Sequence, residues 1–194
     1  MKSFWKTILG VWNTKTIVAI AIGAALFGVL MNFGGITIFT NTKLTTAMIV
    51  PVIVGSMFGP VPAFISCLVG NTIADLIGGW GFWFDWSIGN AVLGFIIGLL
   101  PFYGAKITEG IFKLQHAIIY AVMCAVGNIL AFGIITPLLT VAFYGGELSI
   151  TFIQALTAGI SNLLILTVIG IPILLALAAR YARSKNLKIE EKED

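Results

Sequence analysis

The sequence predicts an all-α membrane protein, a six-transmembrane-helix bundle with both termini in the cytoplasm. Three observations lead there. The 194 residues are 59% hydrophobic and only 10% charged, with a mean hydropathy of +1.05, too apolar for a water-soluble globule. The apolar residues form continuous runs rather than the roughly ten-residue alternating segments of a barrel. Ten of the eleven Lys and Arg residues fall on one side of the resulting topology.

The chain opens with MKSFWKTILGVWNTK, in which Lys2, Lys6 and Lys15 are interleaved with Phe4, Trp5, Ile8, Leu9 and Trp12. This reads as a short interfacial segment before the first span. A cleaved signal peptide is not expected, since the apolar stretch that follows lacks an AxA end and resembles the later spans.

Polar and turn residues punctuate six spans, at roughly 16–33, 44–58, 61–78, 86–103, 115–143 and 150–182, which leave no room for a separate soluble domain. The second is short and carries Pro51, which takes the usual donor from the Ala47 carbonyl, so a kink or another partner for that carbonyl is expected. Pro62, in FGPVP, suits the first turn of the third span. Lys2, Lys6, Lys15, Lys106, Lys113, Arg180, Arg183, Lys185, Lys188 and Lys192 lie on the side of the termini, and Lys43 alone lies opposite. The loops at 34–43, 79–86 and 144–149 are then external, and the KIEEKED tail is a solvated end.

Several chemistries are excluded. There is no GxxxxGK[ST] loop, no HExxH and only one histidine, so neither a nucleotide-hydrolysing nor a metal-hydrolase site can be built, and no catalytic residue, metal or cofactor is expected. His116 reads as an interfacial residue without chemistry. The positive charge belongs to span ends and not to a nucleic-acid-binding face. Cys67 and Cys124 lie inside apolar segments without metal-ligand spacing and read as small buried hydrophobes.

Four features carry functional weight. In the first span Ala21, Ala24, Ala25 and Gly28 stand at i, i+3, i+4 and i+7, a small-residue stripe that packs within the bundle or docks onto another membrane protein. The GFIIG run from Gly94 to Gly98 is a similar motif, expected to pack internally. In the third span Asn71 and Asp75 share a face near the external end, and an acid there looks onto a solvated cavity, a partner or the headgroup region. Then GGWGFWFDWS brings Trp80, Phe82, Trp83, Phe84 and Trp86 beside Asp85, serving as an interfacial aromatic belt or as stacking surfaces for a flat heteroaromatic ligand. Asn90, Asn128, Thr136, Gln154, Thr157, Ser161 and Asn162 add polar groups in later spans and together suggest a polar-lined cavity, Asn162 being the more structural member.

Four stretches in this order, TIVAIAIGAALFGVL, MFGPVPAFISCLVGNTIADLIGG, the Trp-rich loop leading into NAVLGFIIGLL, and LTAGISNLLILTVIG followed by a basic tail, cover most of the chain. The sequence resembles in them the S components of energy-coupling factor vitamin importers, riboflavin-type branch. One departure is Asn71, which stands where the family pattern has histidine. The resemblance implies a multi-pass subunit of the bacterial plasma membrane that captures a water-soluble vitamin from outside, a flavin first and a pyrimidine or pyridine vitamin second. It implies docking through Ala21, Ala25 and Gly28 onto a transmembrane coupling subunit driven by two ATPase subunits. Substrate contacts are expected from Asn71, Asp75, Trp80, Trp83, Trp86, Asn90 and Asn128. The alternative is a self-sufficient small carrier or channel in the lipid bilayer.

Overall fold

The computed structural model describes residues 2–39 and 42–193, with side chains at 4–38 and 43–185. The KIEEKED expectation and those on Lys2, Lys188 and Lys192 concern side chains outside the described ones.

Helix α1, Lys2–Leu9, precedes the first long helix, with Phe4 and Trp5 exposed as an interfacial segment requires. Gly10, at φ +75°, turns the chain beside the Phe58 carbonyl and Pro62. Asn13 then caps α2, Thr14–Phe33, its side chain accepting from the Thr16 amide at 3.0 Å.

The stretch 34–43, expected as a plain loop, is instead an antiparallel hairpin, β1 Gly35–Phe39 with β2 Thr42–Thr45, pairing Ile36 with Leu44 and Thr37 with Lys43. β2 packs against α8, Leu148–Ile165. The hairpin shortens the second apolar segment, where α3 is Ile49–Phe58 after a single 3-10 turn at Thr46–Met48. Pro51 therefore falls in the first turn of α3, where a missing N–H breaks no intrahelical bond, and of the two expected outcomes it is the partner that is found, the Ile49 N–H donating to the Ala47 carbonyl. Gly59, at φ +100°, turns directly into α4, Pro60–Gly78, so the helix begins two residues ahead of Pro62.

Helix α5 is Phe84–Ile97, with Asp85 in its first turn, where a carboxylate suits the helix dipole. α6, Leu114–Asn128, continues through a π segment, Ile129–Ile135, into α7, Thr136–Tyr144. α8 continues through a second π segment, Leu166–Gly170, into α9, Ile171–Glu193. Pro137 and Pro172 stand just after these segments, and the wider turn absorbs the amide each proline lacks. His116 caps α6, its Nδ1 accepting from the Lys113 amide at 3.1 Å.

Five helical stretches among the described residues are long and apolar enough to cross a membrane: Thr14–Phe33, Pro60–Gly78, Phe84–Tyr103, Leu114–Tyr144 and Leu148–Lys185. Thr46–Phe58 is a shorter apolar helix. The chain is a mostly helical, multi-pass membrane protein, and its exposed Ile, Leu, Val and Phe side chains give the outer surface the apolarity that lipid demands.

Packing centres on α4, which meets α2, α3 and α5. Small residues let the backbones close up. A Cβ on Gly98 would come within 2.5 Å of the Pro60 Cα, and one on Gly94 within 2.9 Å of the Cys67 Sγ, so the GFIIG motif is an internal contact of α5 with α4. Cys67 and Cys124 are free and buried.

The Phe4 ring lies 5.5 Å from that of Phe102, and Gly110 abuts Ala182. With Gly10 beside Phe58, these contacts gather α1, the α3–α4 turn, residues 100–113 and the start of the basic tail at one end of the bundle. The hairpin, the 79–83 segment and the turn between α7 and α8 form the other.

Candidate functional site

A cavity of about 480 Å³ opens among α4, α5, α7, α8 and the hairpin at the end opposite the termini, within the range of small-molecule pockets. Its aromatic side comes from GGWGFWFDWS. Gly79, at φ +67°, ends α4 by donating to the Leu76 carbonyl, and Gly81 follows at φ +84°, so that Trp80 and Trp83 both reach the cavity wall. Trp86, in the first turn of α5, also lines it and packs on Phe132 with centroids 5.8 Å apart. Phe82 and Phe84 are exposed and do not line it. The two readings of the aromatic run divide residue by residue: the tryptophans face the cavity and the phenylalanines face outward.

The polar corner is a connected network. Asn90 Nδ2 donates to Asn71 Oδ1 at 3.0 Å and to the Trp86 carbonyl at 3.1 Å. Asn71 Nδ2 donates to Ser87 Oγ at 3.1 Å and to Asp75 Oδ2 at 3.4 Å. The Trp83 amide also donates to Asp75 Oδ2, at 3.1 Å, which ties the aromatic segment to α4. Asn71, Asp75 and Asn90 are all buried, as polar groups in a bundle must be when they answer one another.

Six of the seven expected substrate-contact residues, Asn71, Asp75, Trp80, Trp83, Trp86 and Asn90, border this cavity. Asn128 does not. Its Nδ2 bonds back to the Cys124 carbonyl at 2.8 Å and its side chain is buried beside Gly159, off the wall. Of the further polar residues, Gln154 and Asn162 line the cavity, so Asn162 is more than an internal helix contact. Thr157 and Ser161 instead bond carbonyls of their own helix.

Residues from distant segments complete the wall. Lys43 lies on β2, its Nζ 3.0 Å from the Asn32 carbonyl and 5.0 Å from the centre of the Trp80 ring. Tyr144 accepts from the Phe84 amide at 3.0 Å, donates to the Phe82 carbonyl at 3.2 Å and packs against Trp83. Thr140 donates to the buried carboxylate of Asp85, Oδ2, and so joins α7 to α5. Glu147 and Thr151 close the α8 side. The signals in the sequence were slight: Lys43 is the one cation at its end, and Tyr144 sits at a helix end before Gly-Gly.

The stripe on α2 divides. Ala21 and Ala25 are exposed, while Ala24 and Gly28 are buried. Gly28 packs on α4, where an added Cβ would come within 2.5 Å of the Ile73 Cγ2 and 3.2 Å of the Gly70 carbonyl. This corrects the expectation that Gly28 belongs to an outward docking face: it is an internal contact.

A membrane-embedded bundle with a cavity of this size walled by aromatic and polar side chains at one end has the form of a small-molecule binding subunit. The chain belongs to the family of ECF-type riboflavin transporter S components, whose model matches residues 11–179. That is a family of transporter subunits and not of enzymes, and the chain is accordingly a vitamin-binding S component. A UPF0397 protein of Aliivibrio salmonicida is 36% identical over 178 residues, covering 90% of this chain and 96% of that one. Another from Vibrio atlanticus is 33% identical over 179 residues, covering 91% and 97%. Among solved structures, the crystal structure of FolT bound with folic acid is similar with a TM-score of 0.56 and 25% identity, covering 89% of this chain and 95% of that chain.

Proposed function

We propose that this S component captures a water-soluble, flat heteroaromatic vitamin at the outer face of the bacterial plasma membrane and hands it to an ATP-driven importer. The observation that carries the reading is the cavity itself, three tryptophans and a buried Asn71–Asp75–Asn90 network at the end of the bundle remote from the termini. Trp80, Trp83 and Trp86 supply stacking faces, and the network supplies hydrogen bonds to a ring edge. Riboflavin, in the family's description, and folic acid, bound in the FolT structure, both carry flat heteroaromatic rings.

In this reading Thr46–Phe58 is the second of six spans and both termini are cytoplasmic, as the concentration of Lys and Arg at the terminal end supports. With no nucleotide-binding motif in the chain, energy comes from a transmembrane coupling subunit driven by two ATPase subunits. Ala21 and Ala25, exposed on α2, let that subunit approach the backbone closely. The test is to purify the protein from its host, identify the co-purified molecule by absorbance and mass spectrometry, and reconstitute it in liposomes. Uptake that needs the coupling subunit and the ATPases is expected; uptake by this chain alone would favour the self-sufficient carrier.

A further inference from the structure

The polar corner of the cavity has a hydrogen-bonding polarity that the network fixes. Asn90 Nδ2 faces two oxygens, Asn71 Oδ1 and the Trp86 carbonyl, so a flipped amide would set oxygen against oxygen at both contacts. Asn90 Oδ1 is thereby the free end of the side chain, and it is buried without a partner. Asn71 is oriented in the same way, accepting from Asn90 and donating to Ser87 and Asp75. Both asparagines have committed their N–H groups. Both hydrogen bonds to the Asp75 carboxylate fall on Oδ2, and Oδ1 takes none from the described residues. Within this network the acceptors left over are Asp75 Oδ1 and Asn90 Oδ1, and the N–H groups of Asn71 and Asn90 are all taken.

Resting on the vitamin-binding reading, we propose that this corner takes an amidine-like edge, a ring N–H beside an exocyclic amino group as in pterins and 2-aminopyrimidin-4-ones, and not the imide edge of a flavin. The free Asp75 Oδ1 accepts one N–H of such an edge, and Asn90 Oδ1 is a second acceptor in the same network. An imide puts a carbonyl on each side of its single N–H, so one carbonyl meets an acceptor and goes unpaired, and buried unpaired polar groups are what a binding site rejects most strongly. The flavin expected first from the sequence is displaced here by the direction of the hydrogen bonds.

Two heteroaromatic probes of the same skeleton test this. Pterin carries the amino-substituted edge, and lumazine replaces the amino group with a carbonyl. Titrated against the purified protein in nanodiscs, with tryptophan quenching as the readout, pterin binds at least tenfold more tightly than lumazine. Asp75→Asn, which puts an amide in place of the carboxylate, brings the two affinities within about threefold. Lumazine or riboflavin binding as tightly as pterin overturns the inference, as does failure of pterin to bind or an unchanged preference in Asp75→Asn. The wild-type comparison stands even if the variant does not fold. Riboflavin binding would overturn only the inference, whereas absence of any co-purified vitamin would overturn the reading beneath it.

Discussion

The rings of Trp83 and Tyr144 lie 4.8 Å apart between centroids, and the Tyr144 hydroxyl bridges the Phe84 amide and the Phe82 carbonyl. Side chain and backbone of the aromatic segment are thus fastened to the end of α7, and Asp75 holds the same segment to α4 through the Trp83 amide.

Tyr144→Phe keeps the ring and removes both hydroxyl hydrogen bonds. Each is worth about 1 kcal/mol in a partly exposed setting, so release of the co-purified vitamin should quicken by roughly fivefold to thirtyfold. Stopped-flow tryptophan fluorescence measures this, and an unchanged release rate would show that the clasp does not hold the ligand in.

Lys43→Met keeps the apolar stem and removes the charge over Trp80 and the bond to Asn32. A loss of about 1 kcal/mol in ligand affinity is expected from the cation–ring contact, with a small change in thermal midpoint. Calorimetric titration of wild type and variant decides it.

The divided stripe on α2 predicts opposite phenotypes for two changes one turn apart. Ala25→Leu adds bulk to an exposed position, so folding and ligand binding should persist while uptake by the assembled importer is lost. Gly28→Leu drives bulk into Ile73 and Gly70 and should destabilise the bundle by about 1–3 kcal/mol or more. Melting curves and uptake assays on both separate docking from packing; a normal melt for Gly28→Leu contradicts the packing described.

Asp85 is fully buried and accepts from Thr140. Asp85→Asn retains an acceptor oxygen and should change stability little. Asp85→Leu removes this link between helices and leaves the Thr140 hydroxyl only the Thr136 carbonyl of its own helix, at a cost of about 0.5–1.5 kcal/mol. Equal melting temperatures for the two variants would rule out the α5–α7 bond as a stabilising contact.

Much of the cavity was legible in the sequence because its signals were local. Asn71 and Asp75 show their shared face through spacing alone, and five rings in seven residues stand out against an aliphatic background. Lys43, Thr140 and Tyr144 were not legible as wall residues, since each comes from a segment whose position depends on tertiary packing, and the hairpin carrying Lys43 lacks the strong turn signal of a short strand pair. Gly28 shows the limit of a stripe: its spacing from Ala21 says nothing of where along the helix a neighbour begins to cover it. The π segments after Asn128 and Ile165 were hidden in spans that read as long unbroken apolar runs, with Pro137 and Pro172 as the overlooked markers.

Gly79 and Gly81 both take left-handed backbone conformations, and neither has an atom within 4 Å of where a Cβ would sit. What guards these positions is chirality and not crowding: D-alanine would fit where L-alanine would strain the turn. The side chains at 80 and 83 can therefore be exchanged without disturbing the two achiral pivots that set the path of the wall they form.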